Sequence, residues 1–68
     1  MGDIKKIVGE RVKVLRESKG MLQRELAGDA GVPVRTIGRI ERGEVDVRLG
    51  TVAKIAIALG VQVKELLE

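Results

Sequence analysis

Four glycines, at positions 20, 31, 43 and 60, cut the 68 residues into short segments, and between them apolar residues recur at three- and four-residue steps. Glycine readily takes the left-handed conformation that ends helices, so this spacing predicts a run of short helices joined by tight connections. Ile4, Ile7, Val8, Val12 and Leu15 predict an amphipathic helix over about 3–19, with Asp3 as its N-cap and Gly20 as its stop. Leu22, Leu26, Ala27 and Ala30 mark a second helix ending at Gly31. Pro33, with no N–H and a preset φ, suits the first turn of a third helix over about 33–42. That helix turns Ile37 and Ile40 inward and closes at Gly43. A fourth runs from Leu49 or Gly50 to Leu59, with Leu49, Val52, Ile55, Ala56 and Leu59 on one face and Gly60 beyond it. The segment "VKELL" adds a last turn or two, laying Val63, Leu66 and Leu67 over the core. No stretch alternates as a strand does. The expectation is one all-α domain over residues 1–68, a compact bundle of five short helices.

The chain has no cysteine, histidine or aromatic residue, so its core is aliphatic and unaided by disulfides. A core of this size supplies roughly 3–5 kcal/mol, which makes a homodimer a natural addition. The longest apolar run, Ile55–Leu59, falls far short of the ~20 residues of a membrane span and of the ~7–15 of a leader's apolar core. A cytoplasmic protein is expected. Thirteen Lys and Arg against ten Asp and Glu give a net +3, a bias compatible with nucleic acid or an acidic partner. Without His or Cys the usual general bases, nucleophiles and transition-metal ligands are missing, and the sole serine, Ser18, sits at a helix end among charges. No enzyme activity, metal, cofactor or small-molecule ligand is therefore expected.

The third helix concentrates the chemistry. Arg35, Arg39 and Arg42 step by four and three residues, so they share one face, opposite Ile37 and Ile40. Three charges on a helix are often no more than a solvated face. Here, however, a short helix and the tight connection "AGVP" precede them, which makes the helix-turn-helix arrangement that sets its second helix in the DNA major groove. Arginine's planar donor fork can bond guanine O6 and N7 together, which favours Arg35 and Arg39 as base readers. Val34 offers either an apolar contact with a thymine methyl or packing against its neighbours.

From Val8 to Leu67 the chain resembles the phage-repressor and Cro-like helix-turn-helix family, often called XRE-type. The likeness rests on "GERVKVLRESKGM", "QRELAGDAGV", "RTIGRIERGE" and "KIAIALGVQVKELL". The resemblance implies a lambda-repressor-like fold that binds double-stranded operator DNA, usually as a two-fold dimer, and so a repressor-like transcriptional regulator associated with the nucleoid when bound. It implies that Gln23 bonds the DNA backbone, that Val34, Arg35, Gly38 and Arg39 face base edges, and that Arg42 lies near phosphate. It also implies a salt bridge between Arg16 and Glu41 that joins the first and third helices.

Several positions depart from the family pattern. Leu22 stands where Thr or Ser usually caps the second helix, Gly38 where a polar side chain is common, and Gly50 where a polar residue usually caps the fourth. Glu44 and Asp46 add negative charge where relatives approach the DNA backbone, and they repel phosphate unless they point away. Ile57, off the inward face of its helix, is a candidate dimer contact together with Val61, Val63 and Leu67. The competing reading is a protein-interaction or engineered scaffold module that keeps the fold with weakened or lost DNA binding. Association of the basic first helix with a membrane surface is disfavoured, because that helix lacks an aromatic anchor and its apolar face is needed by the core.

Overall fold

The computed structural model describes residues 3–68. Within them α1 spans Ile4–Ser18, and the Asp3 carboxylate caps it by accepting the Lys5 N–H at 2.9 Å. After Lys19 the chain turns at Gly20, whose φ of 67° lies in the region that glycine enters without strain. α2 spans Gln23–Ala30. Leu22 has no side-chain acceptor for the first-turn amides, as its sequence suggests, but the Glu25 carboxylate reaches back to the Leu22 N–H at 2.8 Å. Half of a capping box therefore survives. α3 spans Val34–Glu41, one residue shorter at each end than expected. Pro33 is its cap rather than its first residue, and the Pro33 carbonyl accepts from Thr36 and Ile37 at 2.9 and 3.2 Å.

α4 spans Leu49–Leu59, and its cap is Arg48, so Gly50 lies in the first turn and caps nothing. The expected fifth helix is a 3-10 turn, Val63–Leu66, which leaves four α-helices rather than five among the described residues. The three-residue spacing of Val63 and Leu66 suits this tighter winding, in which side chains three apart eclipse. The Glu65 carboxylate accepts the Gln62 N–H at 2.8 Å to start the turn, and the Glu65 carbonyl accepts from Arg11 Nε at 3.0 Å, tying it to α1.

α1 packs on α3, α2 lies against both α3 and α4, and the closing turn bridges α1 and α4. Their shared core holds Val8, Val12, Leu26, Ile37, Ile40, Ile55, Leu59 and Leu66, with Val52 and three alanines completing it. Several residues assigned inward by the sequence pattern are not in it: Leu22 and Leu67 are about half exposed, Ile7, Leu15 and Val63 are only partly buried, and Leu49 and Ile4 stand out further. Leu49 is 76% exposed and Ile4 53%, because each opens its helix and its side chain leans toward the N-terminus, past the neighbours that cover the next turn. They rim a shallow apolar hollow lined also by Val8, Val47, Val52 and Leu67. Where α1 crosses α3 the backbones nearly touch. A Cβ on Gly9 would collide with the Ile40 carbonyl oxygen and stand 3.0 Å from that of Glu41, so this crossing requires glycine. No described helix is long and apolar enough to cross a membrane.

Candidate nucleic-acid interface

The turn between α2 and α3 is set by Gly31, whose φ is 69°, and by the Val32 N–H, which returns to the Ala27 carbonyl at 3.0 Å. Extended backbone at Pro33 then starts α3 at an angle to α2. Ile37 and Ile40 anchor α3 in the core, so its opposite side is held outward.

Beneath that side lies a buried polar network. Arg16 grips Glu41 with two bonds, Nε to Oε2 at 2.7 Å and Nη2 to Oε1 at 3.1 Å, and donates a third from Nη1 to the Met21 carbonyl at 2.6 Å. The Glu41 side chain is only 3% exposed. Its bonds to Arg16 push the guanidinium pKa still higher, outweighing the burial that opposes the charge. Losing one partner of such a pair strands the other and costs about 3–5 kcal/mol. The salt bridge implied by the family resemblance is thus present, and it fixes α1, the α1–α2 turn and the end of α3 together. Among the described residues no buried side-chain polar atom lacks a partner.

Gln23 joins the network by donating from Nε2 to Glu41 Oε1 at 3.0 Å. An amide nitrogen carries two donors, so one N–H remains for a ligand at the surface. Gln23, Leu22, Arg24 and Val34 line a groove where the starts of α2 and α3 meet.

Val34, Arg35 and Arg39 are exposed along α3, as expected for a presented face. Arg42 is the C-cap rather than a helical residue. Gly38 is not an open patch on this face: it is buried, with Arg42 lying over it. A Cβ at position 38 would stand 3.1 Å from Arg42 Nη1 and 3.9 Å from Gln23 Oε1.

Glu44 does not point away. Its Oε2 accepts from Arg42 Nε at 2.7 Å, and its Oε1 lies 3.9 Å from Arg39 Nε. The bond from Arg42, with the fields of Arg42 and Arg39, holds the Glu44 carboxyl below the usual carboxylate range, so it is ionised at neutral pH. Asp46 instead lines hollows beside the start of α1 and beside Thr36 and Thr51. The meeting of Glu44 with both arginines does not follow from helical spacing. The signal was Gly43, because a left-handed residue after a helix folds the next one back onto its last turn.

The four candidate dimer residues divide. Ile57 is 79% exposed and Leu67 is also exposed, whereas Val61 and Val63 are half-buried against the molecule's own core.

Comparison with known proteins agrees with this geometry. The family model described as "Helix-turn-helix" matches residues 12–66. Control protein C.BamHI of Bacillus amyloliquefaciens is 40% identical over 67 residues, an alignment that covers 97% of this chain and 83% of the relative. Control protein C.SmaI of Serratia marcescens is 38% identical over 65 residues, covering 96% and 77%. The crystal structure of the restriction-modification controller protein C.AhdI from Aeromonas hydrophila superposes with a TM-score of 0.89 at 35% identity, covering 91% of this chain and 94% of that one.

Proposed function

The chain belongs to the helix-turn-helix family of DNA-binding transcription regulators, and on that premise we propose that it lays α3 in the major groove and regulates transcription, repressor-like, by occupying an operator. The observation that carries this is the outward side of α3: Arg35 and Arg39, with Arg42 at the C-cap, stand exposed on an element locked from behind by Ile37, Ile40 and the Arg16–Glu41 pair. Arg35 and Arg39 are the base readers, each matched to guanine O6 and N7. Gln23, held by Glu41, presents its remaining N–H to the sugar-phosphate backbone.

The functional unit is a homodimer on two half-sites, as two-fold operators require. What supports it is an apolar stripe that steps by four along α4, Leu49, Ala53 and Ile57, of which the two ends are largely exposed. Leu67 extends the patch. Val61 and Val63, partly buried against the core, do not form its surface.

Single alanine variants test the reading assignment. With a duplex selected for tight binding, Arg35→Ala and Arg39→Ala are each expected to lose about 1–3 kcal/mol and to relax the preference at one base pair. Equal weakening on every duplex would assign them to phosphate instead. No loss from either would remove α3 as the reading helix.

A further inference from the structure

The end of α3 carries a device that neither the arginines nor the family likeness explains. Gly43, with φ of 71°, turns the chain so that its own N–H meets the Ile40 carbonyl at 2.9 Å and the Glu44 N–H meets the Arg39 carbonyl at 3.0 Å. This closure fixes the Glu44 backbone beside the last turn. Its carboxylate then falls between two guanidinium groups, bonded to Arg42 Nε and 3.9 Å from Arg39 Nε. Both approaches are made at the Nε edge. Among the described residues no hydrogen bond engages the terminal amino groups of Arg39 or Arg42, and both side chains are about half exposed.

Gly38 completes the geometry. With no side chain there, the Arg42 guanidinium lies across the middle of the α3 face, its Nη1 3.1 Å from where a Cβ would stand. It occupies the centre of the face, beside Gln23.

We propose, on the premise that α3 lies in the major groove, that Glu44 is a positioning residue for base reading: it holds Arg42 by the Nε edge across Gly38, so that Arg42 reads a base beside Arg39. A guanidinium already held in one orientation loses less freedom when it meets guanine, so the contact discriminates better. The same carboxylate repels phosphate and weakens binding to any duplex. Glu44 therefore trades general affinity for sequence choice.

The test is selection from a randomised duplex pool with the full chain and with Glu44→Ala, Arg42→Lys and the double variant, followed by affinities for selected and mixed-sequence duplexes. Glu44→Ala is expected to bind mixed sequence about two- to fivefold more tightly, while its preference for the selected duplex falls at least about fivefold. Arg42→Lys keeps the charge for a phosphate but not the fork, and is expected to relax the same base positions. In its background, removing Glu44 should cost little further preference. An unchanged preference in either single variant overturns the proposal, as does an equal loss of affinity by Glu44→Ala on every duplex, the mark of a merely structural role. Failure of the unaltered chain to enrich any sequence would instead overturn sequence-specific binding itself, and this proposal with it.

Discussion

Gly9 and Gly28 both stand inside helices, where glycine costs up to about 1 kcal/mol relative to alanine, yet their surroundings are opposite. A Cβ at Gly9 meets the backbone carbonyls of α3, which cannot swing aside, whereas a Cβ at Gly28 meets nothing within 4 Å. Gly9→Ala is therefore expected to destabilise by about 1–3 kcal/mol, as overpacking does, and Gly28→Ala to stabilise by about 0.5–1 kcal/mol. Urea denaturation of the two variants checks this, and equal shifts of the same sign would contradict the close crossing of α1 and α3. From the sequence the two positions are alike, since which helix lies behind a glycine depends on packing. Gly38 illustrates the same limit. Its place on the arginine face is legible from the spacing, but its burial comes from Arg42 folding over it, and that depends on Gly43 and Glu44 beyond the helix.

At the scale of elements, periodicity and stop signals locate every helix to within a residue or two, because glycine and aspartate act locally. Asp3 caps α1, and Gly31 and Gly60 take the left-handed conformation just after α2 and α4. Where the reading fails, the cause lies in neighbours. Leu49 has the right spacing for the core but lies beyond the residues that would cover it, and the last turn winds as 3-10 around Leu66. Leu22, like Pro33 and Arg48, gives its helix no side-chain cap. It is about half exposed, so replacing it removes little buried area, and a hydroxyl there would complete the box that Glu25 already half makes. Leu22→Thr is expected to stabilise by about 0.5–1 kcal/mol, within the range for a gained N-cap, and to raise Tm by several degrees. Thermal unfolding followed by circular dichroism checks it. An unchanged or lowered Tm would mean that Leu22 contributes packing that a cap cannot replace.

For the whole molecule, the exposed arginines of the third helix and the most exposed apolar side chains lie on different helices. The arginines of α3 sit over the Arg16–Glu41 network, while Leu49 and Ile57 lie on α4. The exposure of Ile57 was legible from helical phase alone and that of Leu49 was not, so the exposed patch gains Leu49 and loses Val61 and Val63 relative to the four residues expected. If two copies meet there, Ile57→Glu is expected to raise the dimer dissociation constant about tenfold or more. Sedimentation across a concentration series checks this, and a monomer at high micromolar concentration in both forms would remove the dimer. Seating α3 in the major groove brings the residues around it against the DNA backbone, so a sequence-independent affinity accompanies base reading. Its most direct test is fluorescence anisotropy of a labelled mixed-sequence duplex titrated with the chain at about 50 and 200 mM salt. Neutralising roughly six phosphates predicts that log K falls with log salt at a slope near −5. No binding in the tens of micromolar at low salt, or an affinity indifferent to salt, would contradict it and leave the fold as a module for a protein partner.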